Sequence, residues 1–178
     1  MGPGRRFFTD ANGLVGALVS GWTVSGIFRY ESGLPLAVSS SNSYAGWQYP
    51  IYANRNAGVS VERQFDSSAF NPAKPTDPAN RYFDPLAFSN PAYGELGTGP
   101  GRFEELRGFG NAYEDLGIVK EFSLGHVRAQ VKFEVINLFD RQYFADPDTR
   151  VGSPNFGQVT TLGWQPPRQG QLGIRFDW

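Results

Sequence analysis

From Val127 to Val135 the chain alternates without a fault: Val127, Ala129, Val131, Phe133 and Val135 on one parity, Arg128, Gln130, Lys132 and Glu134 on the other. Alternation of period two places every apolar side chain on one face of an extended strand and every polar one on the opposite face, a separation that helical geometry does not reproduce. The closing residues repeat it, with Leu172, Ile174, Phe176 and Trp178 set against Gln171, Gly173, Arg175 and Asp177. Two earlier segments follow the pattern less strictly. In one, Trp22, Val24, Phe28 and Tyr30 share a parity that Leu34, Leu36 and Val38 continue, opposite Thr23, Ser25, Arg29 and Glu31, with Ile27 out of place. In the other, Leu116, Ile118, Phe122 and Leu124 oppose Asp115, Gly117, Glu121 and Ser123, and Lys120 is a blemish on the apolar parity. Four strands are expected, at about 22–38, 113–124, 127–139 and 168–178, each close to the ~10 residues that a tilted strand needs to cross a bilayer.

The connections are unequal. Only Gly125 and His126 separate the second strand from the third, which predicts a tight hairpin. The stretches at about 39–112 and 140–167 are polar, aromatic and rich in turn formers, although Gln158–Leu162 can extend a strand. A loop as long as the first counts against a compact soluble domain. In an outer-membrane barrel, short turns on one side and long loops on the other are the rule. The expected fold is therefore all-β: an antiparallel, up-and-down transmembrane β-barrel segment of about four strands with long extracellular loops, an incomplete barrel. The first strand runs outward and the second inward; the hairpin sends the third outward, and the last returns. Residues 1–21 then form a periplasmic connection, and both ends lie on one side.

Composition narrows the function classes. With 16 basic and 17 acidic residues the net charge is −1, so no global field favours nucleic acid. The chain has no cysteine and a single histidine, His126, which excludes disulfides, thiolate metal sites and multi-histidine sites. Its 15 Phe, 8 Tyr and 4 Trp beside 22 Gly and 13 Pro suit strands joined by long loops. Mean hydropathy is negative, which an alternating barrel strand allows because half its residues face a polar interior. No GxSxG, P-loop, HExxH or dinucleotide glycine motif occurs, so no enzyme activity and no cofactor are expected. Glu104 with Glu105, and Asp146 with Asp148, lack the ligand density of a cation loop. At the N-terminus, Arg5 and Arg6 precede an apolar stretch in the manner of a twin-arginine signal. Asp10, Asn12 and Gly13 interrupt it, and Leu14–Val19 is too short for a secretory core.

Several stretches resemble the C-terminal barrel region of TonB-dependent outer-membrane receptors, in particular the Oar-like, OmpA-related group. They are GRRF, LVGALVSGWTVSGIFRYESGLPLAV, RYFDPLAFSNPAYGELGTGPGR, LRGFGNAYEDLGIVKEFSL, VRAQVKFEVINLFDRQYF, SPNFGQV and QLGIRFDW. They span nearly the whole chain in the family's order, and the NLFD-x-x-Y element, Asn137 to Tyr143, is specific in this position. The resemblance implies a receptor that captures a scarce ligand of siderophore, vitamin or glycan type and imports it through a plugged barrel with energy relayed by TonB. Such a barrel has about 22 strands and a plug. Four strands cannot close, so the chain is expected to be a fragment needing the rest of the barrel and plug, with TonB engaged only indirectly. Outer-membrane lipid is the remaining partner, and no nucleic acid is.

Three groups of residues are candidates for function. Leu172, Ile174, Phe176 and Trp178 look like the assembly signal read by the barrel-assembly machinery, an apolar face that ends in an interfacial aromatic. Arg29, Glu31, Arg128, Gln130, Lys132, Glu134 and Arg175 are expected to face the lumen, with Asp177 among them, and to pair across strands; a solvated sheet face predicts the same pattern. Trp47, Tyr49, Tyr52, Asn54 and Arg55 in the long loop can stack on and hydrogen-bond a ligand, or pack the loop upon itself. The alternative whole-chain reading is a soluble β-sandwich that binds a ligand or carbohydrate. It would seal Trp22, Phe28, Val131, Phe133, Phe176 and Trp178 in a closed core, whereas the barrel turns them to lipid.

Overall fold

A computed structural model describes residues 13–178; the paired arginines lie outside the described residues. The elements are helix α1 (Gly13–Val19) and strands β1 (Trp22–Glu31), β2 (Pro35–Leu36), β3 (Asn54–Arg55), β4 (Phe88–Ser89), β5 (Phe103–Arg107), β6 (Asn111–Leu124), β7 (Val127–Ile136) and β8 (Gln169–Asp177). The chain divides into two compact units. One holds the residues up to Tyr30, Ala112–Arg141 and Pro166–Trp178; the other holds Glu31–Asn111 and Gln142–Gln165.

The first unit is a four-stranded antiparallel sheet in the order β1-β6-β7-β8. Gly125, at φ 68°, makes the hairpin between β6 and β7, a left-handed backbone that glycine adopts without strain. The register keeps the two faces apart. Ala129, Val131, Phe133 and Val135 sit beside Phe122, Lys120, Ile118 and Leu116 of β6 and beside Phe176, Ile174, Leu172 and Gly170 of β8. Arg128, Gln130, Lys132 and Glu134 sit beside Ser123, Glu121, Val119 and Gly117, and beside Asp177, Arg175, Gly173 and Gln171. The sheet is open: β1 and β8 are its edges, and both are exposed along their whole length.

The first strand ends earlier than the expected Val38. At Gly33 the backbone lies so close to the Gly108 carbonyl that an added Cβ would sit 1.9 Å from its oxygen, and Pro35 has no N–H to give to a ladder. Leu36 and Val38 consequently leave the apolar face and enter the core of the second unit. The third strand stops at Ile136 instead of 139, because Asn137 turns the backbone with φ 52°. The expected connection before Trp22 contains α1.

The second unit shows that the long loops are not structureless. Tyr82, Phe83, Leu106, Val38 and Val159 are fully buried in one cluster that draws on both loop segments. Its rings meet edge to face: Phe65 lies 5.1 Å from Phe109 and 5.0 Å from Phe144, and Phe88 lies 5.1 Å from Phe103. Such geometry sets the positive ring edge against the negative face. Little regular structure is needed: β2 pairs with β5, β3 with β4, and isolated bridges join Arg81 to Gln158 and Phe144 to Leu162, where a strand extension was expected. Pro78 and Pro85 open single turns of 3₁₀ helix capped by Asp77 and Asp84, positions where a missing N–H costs nothing. Buried Asn80 accepts from Asn71 N–H and donates to the Asn71 and Lys74 carbonyls, so the burial leaves no polar atom of its amide unpaired.

Candidate functional site

On the apolar face of the sheet Trp22, Val24, Phe28, Leu172, Ile174 and Phe176 are each more than half exposed, and Phe133 is 45% exposed. Val131 is half-buried. These side chains are not sealed within the unit, which is the arrangement of a barrel wall and not of a sandwich core. Trp178 ends the row at 95% exposed. The four proposed assembly-signal residues thus lie along one edge strand and just past its end.

The polar face carries the other row. Gln130 donates to Glu121 across the β6–β7 pair at 3.1 Å, and Gln171 donates to Glu134 across β7–β8 at 2.5 Å. Two ion pairs run along strands: Lys132 with Glu134 at 2.7 Å and Arg175 with Asp177 at 2.8 Å. Residues two apart share a face, and long side chains bridge that gap readily. Arg29 lies on this parity of β1, as does Glu31 at the strand's end.

At the far end of β6 and β7 the sequence motif becomes a locked turn. The Asn137 side chain accepts from Arg141 N–H at 2.9 Å and donates to the carbonyls of Arg141 and Pro166 at 3.1 and 3.0 Å. Its own N–H donates to Asp115, and Asp140 accepts from Arg168 N–H. The Arg141 Nε donates to both oxygens of Glu114 at 2.9 and 3.0 Å, and that carboxylate is fully buried. A buried carboxylate without a partner would be costly, so the Arg141 pairing stabilises Glu114 on this parity. The NLFD pattern pointed to this turn, whereas nothing in the local sequence marks Glu114 as Arg141's partner.

The loop candidates separate into two groups. Trp47 and Tyr49 are exposed and meet edge to face, with ring centroids 6.1 Å apart. They border a hollow of about 300 Å3 with Asn42, Ser43, Tyr44 and Arg150. A Trp47 N–H to Tyr44 carbonyl bond closes the turn that presents the indole, and the Tyr44 hydroxyl is fixed on the Glu95 carbonyl at 2.8 Å. Arg150 arrives through a bridge to Ser39, a distant pairing with no local signal in the sequence. The other three candidates serve the unit's own structure. Asn54 accepts from Thr98 N–H, and the Tyr52 carbonyl is crossed closely by Gly97. Arg55 donates to the carbonyls of Val59 and Ala87, pairs with Glu105 at 3.4 Å and lies over the Phe88 ring.

Two side chains of this unit have displaced proton affinities. Burial pushes the Tyr82 phenol up, and hydrogen bonds from Ser68 hold Asp66 below the usual carboxylate range. One of the acidic pairs considered for cations is used locally: Asp146 accepts from Phe109 N–H, and Asp148 from Arg150 N–H and the Ser153 hydroxyl. Among the described residues no group of three or more His, Asp or Glu side chains gathers as a metal site would.

Comparison with known proteins agrees with this geometry. The model of the family described as "Outer membrane beta barrel domain" matches residues 1–171. Among curated proteins and among solved structures, none matches at a significant level. A sheet with one exposed apolar face and one charged face suits a wall between lipid and a polar interior, and the chain belongs to the outer membrane beta barrel domain family and has its place in the cell outer membrane.

Proposed function

We propose that this chain is part of the barrel of a TonB-dependent outer-membrane receptor, and that it serves ligand uptake and not catalysis. The observation that carries the reading is a folded platform of loops, with its own aromatic core and an exposed Trp47–Tyr49 pair, in a chain whose sheet is a barrel wall. A passive pore needs no such platform. The NLFD turn and the resemblance of the remaining segments to Oar-like receptors support the finer assignment.

On this reading the apolar face meets hydrocarbon, and the polar row faces the lumen or a plug. Further strands complete the barrel by pairing with the outer edges of β1 and β8, since unpaired backbone groups are not tolerated in a bilayer. Leu172, Ile174, Phe176 and Trp178 are read by the barrel-assembly machinery. The second unit stands outside the cell, where Trp47 and Tyr49 offer ring surface to a siderophore, vitamin or glycan, and TonB acts through the plug.

The test is uptake of a panel of labelled ferric chelates, cobalamin and oligosaccharides by cells with and without the gene, in backgrounds with and without TonB. Loss of one ligand on deletion of either gene is expected, with Trp47→Ala and Tyr49→Ala lowering its apparent affinity about tenfold, in line with the loss of an exposed aromatic contact. Uptake that depends on the gene but persists without TonB would make the protein a passive channel and overturn the proposal.

A further inference from the structure

Helix α1 raises a question of hydrogen bonding. A helix leaves its last carbonyls without intrahelical partners, and water normally supplies them. Here the chain itself supplies partners for Gly16, Ala17 and Leu18. The Gly16 carbonyl accepts from both the N–H and the hydroxyl of Ser20, at 3.0 and 2.5 Å. The Ala17 carbonyl accepts from Lys120 Nζ at 2.5 Å, and the Leu18 carbonyl from Trp22 Nε1 at 2.7 Å. Lys120 Nζ also donates to the Ser20 carbonyl. The lysine that looked like a blemish on the apolar parity is therefore 5% exposed, and its ammonium sits at the negative end of a helix, where a cation is stabilised. Its remaining surroundings are aromatic: Nζ lies 5.2 Å from the Trp22 ring and 5.0 Å from that of Phe122.

The helix so capped, Gly-Leu-Val-Gly-Ala-Leu-Val, has no polar side chain. Val15 and Leu18 are 57% and 67% exposed. Trp22, which caps it, is the first residue of the apolar face of β1, so the uncovered apolar surface is continuous with the face of the barrel wall. Three helix-end carbonyls bonded within the chain, apolar side chains turned outward, and a Trp and a Lys at the junction together fit one medium, the boundary between headgroups and acyl chains. We propose that α1 is an interfacial anchor bedded in membrane phospholipid, with Lys120 and Trp22 clasping its end to the sheet. This assignment is independent of which ligand the protein takes up.

The chain has no cysteine, so with any cysteine elsewhere in the protein replaced by serine a direct test is simple. Val15→Cys and Leu18→Cys are introduced singly into the full-length protein in opened outer-membrane vesicles, with Tyr93→Cys, an exposed position of the second unit, as reference. A charged, water-soluble maleimide is expected to label the two helix positions roughly tenfold more slowly than the reference, while a lipid-soluble maleimide labels all three. Equal labelling by the charged reagent would place the helix in water, and protection from both reagents would seat it on protein; either result overturns the proposal. Lys120→Met keeps the stem and removes the ammonium, so charged-reagent labelling of Leu18→Cys should rise several-fold. Lys120→Arg, which keeps the donors, should preserve protection and serves if the Met variant does not assemble. Unchanged labelling in Lys120→Met would remove Lys120 from the anchor.

Discussion

Asn137 holds a left-handed backbone and three side-chain hydrogen bonds at once. Asn is one of the few residues that tolerates this conformation, because its short amide bonds locally. Asn137→Ala should lower stability by about 2–4 kcal/mol, from unpaired groups and from strain. Asn137→Gly, which relieves the strain alone, should recover part of that. Urea unfolding of the assembled barrel, followed by its heat-modifiable mobility, measures both. Tyr82 offers a second handle. Its phenol is almost fully buried, donates to the Arg107 carbonyl and has its proton affinity raised by burial. A folded-state affinity above the unfolded one gives stability that is present below the unfolded value, about 10, and is lost as pH rises through the folded value. The second unit should therefore loosen in alkali, and Tyr82→Phe should abolish that step in a near-ultraviolet titration while lowering neutral stability by about 1 kcal/mol. Neither role was legible beforehand. The NLFD motif marked a place without saying what its asparagine does, and Lys120 looked like an error of pattern because its acceptors come from a hundred residues earlier.

Strand existence was legible at the scale of elements because alternation is a local property, and β6, β7 and β8 lie close to where it placed them. The end of β1 was not. Leu34, Leu36 and Val38 keep the parity of Trp22, and only the approach of Gly108 and the geometry of Pro35 reveal that the strand has stopped. Residues 39–112 were opaque for a related reason: a core assembled from Phe and Tyr at irregular spacing has no period to detect. The two faces of the sheet can be tested by matched substitutions on neighbouring strands. Ile174→Arg, on the apolar face, should cost about 2–4 kcal/mol near the bilayer midplane. Gln130→Lys, on the charged face, should stay within about 0.5 kcal/mol. Equal costs would mean that the apolar face does not meet hydrocarbon.

For the whole molecule, the outer-membrane barrel class and the open sheet were legible, while the division into a wall and a self-cored unit was not. Phe83→Ala removes a fully buried ring and should cost the second unit about 3–5 kcal/mol. Limited proteolysis of membranes should then cut within 31–111 while the heat-modifiable sheet persists. The aromatic cluster of that unit takes Phe65 and Phe109 from the chain before β6 and Phe144, Val151 and Val159 from the chain after β7. It cannot close until the intervening hairpin has been synthesised, because Phe144 packs against Phe65 and Phe109 from the far side of it. The second unit is thereby a late-folding body, made only once the chain on both sides of the hairpin exists.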